Sequence, residues 1–186
     1  YGKSIIMDYS YKYFYNDGYG KDYRIFNLKS TIDEEQRQVY LTGCLLSFYQ
    51  QMKIYTSKKD ELKSFNIEKP LLVFVGNRVT ASTSKEELTD VEEVLDFINR
   101  FVSNRPVSIR RITEILNNDT GLVNARGEEL FYQDFYPLSE FFGASPDASL
   151  IFADILRLVF NTDTNADEPR LHLENIKQVS GEIGLK

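Results

Sequence analysis

Arg78, Thr80 and Ser82 stand in the polar run Asn77-Arg78-Val79-Thr80-Ala81-Ser82-Thr83-Ser84, which offers one guanidinium and four hydroxyls. Placed just before a helix, whose first backbone N–H groups point outward without partners, that set of donors suits a phosphate. Arg110-Arg111, with Arg105 nearby, is a second cationic pair able to meet a phosphate backbone. The plainer reading of such a pair is a solvated helix face, and the same holds for Lys53, Lys58, Lys59 and Lys63. Gly18-Tyr19-Gly20-Lys21 has the outline of a phosphate-binding loop but fails on chemistry. The cradle needs a further glycine where Tyr15 stands, and a Ser or Thr for the metal where Asp22 stands. A structural turn is the better reading.

The remaining reactive types are sparse. His172 is the sole histidine and Cys44 the sole cysteine. No two-histidine or cysteine-cluster metal site can be built from them, and no intramolecular disulfide. His172 falls on the wet side of an alternating segment, and Cys44 lies beside an apolar helical stripe, where a thiol is usually an inert core group. The acidic pairs Glu86-Glu87, Glu92-Glu93 and Glu128-Glu129 have no apolar setting that would raise one carboxyl for acid catalysis. No complete catalytic constellation emerges.

The elements that must position these groups centre on Lys69-Pro70-Leu71-Leu72-Val73-Phe74-Val75-Gly76. Leu71 to Val75 is an unbroken apolar run between a proline and a glycine, which is how a strand buried on both faces reads. After the polar loop, Leu88, Val91, Val94, Leu95, Ile98, Phe101 and Val102 fall at steps of three and four, placing one apolar stripe on a helix. Ser84 with Glu87, and Thr89 with Glu92, have capping-box spacing. Strand, loop and helix make half a βαβ unit, and in parallel sheets ligands meet the loop beyond the strand's carboxyl end.

Elsewhere, the aromatic run 4–15 fits either a helix or an alternating strand, with the helix favoured, and Asn16-Asp17-Gly18 breaks it. A long helix is expected from about Thr31 to Lys59, with Leu41, Leu45, Phe48, Met52 and Tyr55 on one stripe. Gly43 inside it costs about 1 kcal/mol against alanine, so something should pack close there. Ser108 can cap a short helix bearing Ile109, Ile112, Ile115 and Leu116. Pro137 splits the aromatic stretch 129–142 into two short helical pieces, and Ser145-Pro146-Asp147 starts another helix. Arg170 to Glu174 alternates like a strand with one wet face. The fold class expected is α/β and helix-rich, with a small sheet around strand 71–75 and helices over about 105–161.

The 186 residues give ample material for a core, and 42% hydrophobic with 27% charged content is ordinary for a globular chain. A net charge of −6 argues against a general electrostatic grip on nucleic acid or anionic membrane. A single cysteine and no long apolar span point to the cytoplasm. Tyr1-Gly2-Lys3 carries no initiator Met or signal pattern, and Gly181 to Lys186 reads like a strand cut short, so the chain is expected to be a fragment.

Three stretches carry a family likeness: Tyr13-Phe14-Tyr15-Asn16-Asp17-Gly18-Tyr19-Gly20-Lys21-Asp22-Tyr23, the run Lys69 to Gly76, and Ser180-Gly181-Glu182-Ile183-Gly184-Leu185-Lys186. In them the sequence resembles superfamily 2 ATP-dependent DNA helicases and translocases, namely the restriction (Res) subunit of type III restriction enzymes. That resemblance implies an internal, non-catalytic slice of a two-domain RecA-like motor. Residues 1–68 would end the first motor domain or linker. Residues 69–186 would begin the second, with a helical insertion at about 105–161. ATP and magnesium would be bound by parts of the parent outside the chain, and DNA would be the partner, with a modification (methyltransferase) subunit a further one. Arg78, Thr80 and Ser82 carry over as phosphate contacts by their place after the strand. An acidic, tyrosine-rich protein-interaction module without a nucleic-acid role is the alternative.

Overall fold

The computed structural model describes residues 9–20, 23–28, 31–75, 90–162, 172–175 and 183–185. Its longest element is α2, Glu34–Ser57. Asp33 starts it with a capping box: its carboxylate accepts from the Gln36 N–H at 2.8 Å, and the Gln36 side-chain oxygen accepts from the Asp33 N–H at 3.2 Å. Glu34 and Glu35 in the first turn complement the positive end of the helix dipole. At 24 residues the helix is about 36 Å long. It is the pillar against which α4 (Asp90–Ser103), α5 (Arg105–Leu116) and α7 (Ala148–Leu158) pack.

The core lies between these four helices. Leu46 and Tyr49 of α2, Phe97 and Phe101 of α4, Ile112 and Ile115 of α5, and Ile151, Phe152 and Ile155 of α7 are all sealed from solvent. Phe101 sits at its centre, its ring 6.1 Å from Phe97 and 5.4 Å from Phe152. The turn from α4 into α5 is tight: Asn104 alone separates them, Pro106 lies in the first turn of α5, and the buried Ser108 hydroxyl donates to the Phe101 carbonyl at 2.7 Å. Ser108 therefore clamps two helices together instead of capping one; α5 begins at Arg105 with Asn104 before it.

Between α5 and α7 runs a loop-rich stretch. It holds the 3-10 turn Tyr136–Leu138 and α6, Ser139–Phe142. Phe131, from this stretch, places its ring over Gly43 of α2, so that a Cβ there would fall 2.2 Å from ring carbon Cζ. The interior glycine is thus explained by a close approach. Asp147, two residues after Ser145, caps α7 by accepting from the Ser149 N–H at 2.7 Å. Two smaller helices complete the set among the described residues: α1, Tyr11–Asn16, and α3, Lys59–Lys63, neither with a buried residue. Of the aromatic stretch 4–15, residues 11–15 are helical, and residues 4–8 lie outside the described residues.

The α/β expectation is overturned. Residues 71–75 form no strand and pair with none among the described residues, and Leu71 is 82% exposed and Val75 90% exposed. The only strands among the described residues are β1, Leu173–Asn175, and β2, Ile183–Leu185, an antiparallel pair with Leu173 opposite Leu185. The physical reason is that an apolar run states a demand for burial on both faces without supplying the neighbouring strands that meet it. Among the described residues no parallel sheet forms around 71–75, and the described core is made by helices. Leu72 alone of this run packs against that core. The helix α2, which precedes position 69, shares one core with α4, α5 and α7, which follow it.

Candidate functional site

Arg78, Thr80 and Ser82, with the capping pairs at 84–87 and 89–92, lie wholly or partly outside the described residues; of these only Glu92, within α4, is described. Arg110 and Arg111 are well placed on α5, and both turn toward α2. Arg111 is buried to 5% exposure and grips Glu35 with a two-pronged contact, Nε to Oε1 at 3.1 Å and Nη2 to Oε2 at 2.7 Å. Arg110 donates to the same Glu35 at 2.8 Å and to Glu114, one turn on, at 2.7 Å. The planar guanidinium fork matches a carboxylate, which is why arginine suits such a junction. A phosphate reaching Arg110 competes there with the Glu35 and Glu114 carboxylates. Arg110, about half exposed along its side chain, is the member that keeps contact with solvent.

The Arg111 guanidinium, hydrogen-bonded to Glu35 and joined there by Arg110, pulls that carboxyl down to about 2 from an ordinary 4.5. A depressed carboxylate stabilises the fold above its unfolded value and loses that contribution as pH falls through the folded one. Acid unfolding followed by circular dichroism should therefore show this junction intact at pH 5 and failing between about pH 4.5 and 2. Glu35→Gln should flatten that part of the curve. Glu35 is half exposed, so screening keeps the gain to about 1 kcal/mol.

A second cluster, absent from the sequence reading, joins α2 to α7. Asp154 on α7 accepts from the Tyr49 hydroxyl at 2.6 Å, from Lys53 at 2.7 Å and from Arg157 at 2.5 Å. Burial alone would raise its carboxyl, but the hydrogen bonds from Lys53, Tyr49 and Arg157 outweigh burial and hold it below the usual range. Burial, with the Asp154 bond, pushes the Tyr49 phenol up, so it stays protonated and donates. Lys53 also lies over the rings of Phe141 and Phe142, at 5.7 and 5.3 Å. The signal was the i,i+4 pair Tyr49/Lys53 and the i,i+3 pair Asp154/Arg157, each visible in sequence, but nothing in sequence said that they face one another. Every group is engaged, and the arrangement holds helices together.

A third acid, Asp134, is nine-tenths buried along its side chain and pairs through one oxygen with Arg24. Its other oxygen has no partner, and burial, opposed by Arg24, raises its carboxyl above the ordinary value. The remaining sequence candidates are quiet. Gly18 adopts φ 82° in the turn after α1, and Gly20 presses against Tyr15, which is the geometry of a turn. His172 is exposed. Burial pushes the Cys44 thiol up, the direction of an unreactive sulfur. No cluster of three or more potential metal ligands occurs among the described residues, and no described helix is long and apolar enough to cross a membrane.

No protein-family model, curated protein or solved structure matches the chain.

Proposed function

We propose that this chain is a non-catalytic helical segment of an ATP-dependent DNA helicase or translocase of the kind it resembles, the restriction subunit of type III restriction enzymes. The observation that carries this reading is the tyrosine-glycine stretch Tyr13 to Tyr23 together with the runs at 69–76 and 180–186. The exposed apolar segment 71–75 supports it, because a chain that works packed against further polypeptide has a use for such a surface. In this role the chain's own contribution is positional. The pillar α2 and the helices packed on it form a stiff body, and Arg78, Thr80, Ser82 and the solvent-facing Arg110 contact the DNA backbone. Arg111 supports Arg110 through their shared Glu35. ATP and magnesium belong to other parts of the parent protein, DNA and a methyltransferase subunit are its partners, and the cytoplasm is its compartment.

The test is a titration of labelled duplex DNA at several salt concentrations. Arg78→Ala and Arg110→Ala should each weaken binding whatever the sequence, and each should reduce the slope of log K against log salt by about 1. The isolated chain should show no ATP turnover. DNA binding that is unmoved by both variants, or ATP hydrolysis by the chain alone, defeats the proposal.

A second reading, a protein-interaction module without a nucleic-acid role, is favoured by one feature: Tyr9, Tyr11, Tyr13, Phe14, Tyr15, Tyr19 and Tyr23 are all exposed. Under it the DNA titration shows nothing at any salt.

A further inference from the structure

The charge of this chain is unevenly placed. Residues 117–147 carry six carboxylates and one arginine, a net −5, against −6 for the whole chain. This is the loop-rich stretch between α5 and α7, and two adjoining clefts open along it. The first, about 390 Å³, has apolar and aromatic walls from Leu116, Phe131, Phe135, Tyr136 and Pro146. The second, about 470 Å³, is lined by Glu128 and Glu129 with Asn124 and Tyr132. Asn118 lines both. It is held there by an unusual backbone: Asn118 and Gln133 both take left-handed conformations, φ 55° and 58°, and the Gln133 N–H donates to the Asn118 side-chain oxygen at 3.3 Å.

The electrostatics of the second cleft select the sign of what enters. Glu129 accepts from the Thr120 hydroxyl at 2.7 Å and the Gly121 N–H at 3.0 Å, so it is fixed in place without being neutralised. Among the described residues Glu128 accepts only from the neutral Asn124 amide, at 3.0 Å. Among the described residues neither forms an ion pair. Arg24, which also borders this cleft, is already paired with Asp134. A phosphate backbone would meet like charge here.

From the apolar cleft, the uncompensated carboxylates beside it and the residue they share, we infer that this face docks a basic polypeptide segment. One leucine or aromatic side chain of the segment fills the cleft beside Tyr136. Neighbouring lysines or arginines lie along Glu128 and Glu129. The partner is thus an extended peptide of alternating apolar and cationic character, bound by burial of one anchor and oriented by charge. None of the residues that line these clefts is among the DNA contacts proposed above, so either proposal can fail without the other.

The probe is the peptide acetyl-Gly-Lys-Leu-Lys-Phe-Lys-Gly-amide, titrated into the 15N-labelled full chain and followed by amide chemical shifts. Shifts should concentrate at 115–146. Tyr136→Ala removes an exposed wall and Glu128→Lys reverses an exposed charge, so both variants should fold. Each should weaken the peptide about ten-fold. A peptide with serine in place of Leu and Phe should bind as weakly as the Tyr136→Ala variant binds the parent peptide. Shifts scattered over the surface, binding unaltered in both variants, or an oligo-dT strand producing the same shift pattern would overturn the assignment.

Discussion

Replacing Gly43 by alanine should destabilise the protein by about 2–3 kcal/mol, although alanine is the better helix former by about 1 kcal/mol. The new methyl would sit 2.2 to 2.6 Å from three carbons of the Phe131 ring. That ring has nowhere to go: it is 1% exposed and flanked by Phe26, Tyr40 and Phe135, with centroids 5.0, 6.4 and 6.0 Å away. Overpacking of this kind drives side chains off their rotamers and shifts backbone, and the helix-propensity gain is too small to offset it. Thermal unfolding should move down by about 6 °C. Combining Gly43→Ala with Phe131→Leu should cost clearly less than the sum of the two single changes, because the smaller side chain vacates the space. Strict additivity would show that the ring does not meet the helix at that point.

The second large effect is expected at Asp154. Its replacement by alanine strands the Tyr49 hydroxyl, which is fully buried, and leaves the largely covered Lys53 ammonium without its carboxylate. A buried donor without an acceptor costs about 1–3 kcal/mol, more when charged. The loss should be about 3 kcal/mol in urea unfolding, moderated by the residual access of Lys53 to water. Tyr49→Phe alone should cost about 1 kcal/mol. In the Asp154→Ala background the same change should cost much less, or restore stability, since it removes the orphaned hydroxyl. Equal costs in the two backgrounds would mean that the hydroxyl and the carboxylate are not coupled.

Local signals along the chain were read well where one helix face meets one core. The stripe Phe101, Val102 and Ile98 of α4 and the close approach at Gly43 follow from periodicity and propensity. What failed was the segment 71–75, and for a specific reason. Its composition encodes how much apolar surface it presents, whereas strand formation depends on a second and third strand whose presence no single run can announce. Site residues fared in the same way. Arg110 and Arg111 were visible as a cationic pair, but their pairing with Glu35 spans 75 and 76 positions, and the contact between Tyr49 and Asp154 spans 105. Contacts over such separations depend on how helices cross, and the sequence pattern fixes each helix without fixing its crossing. Asn118 and Gln133 illustrate a further limit, since their left-handed backbones are imposed by the loop and carry no glycine to advertise them.

The unpaired segment 71–75 also governs how this polypeptide behaves in a test tube. Leu71, Val73 and Val75 are all well exposed, in a run that has no charged side chain. Short runs with that make-up stack readily into intermolecular ribbons. Concentrated solutions of the chain by itself should accordingly drift toward thioflavin-positive aggregates, and a lysine at Val73 would act as a gatekeeper that keeps them clear.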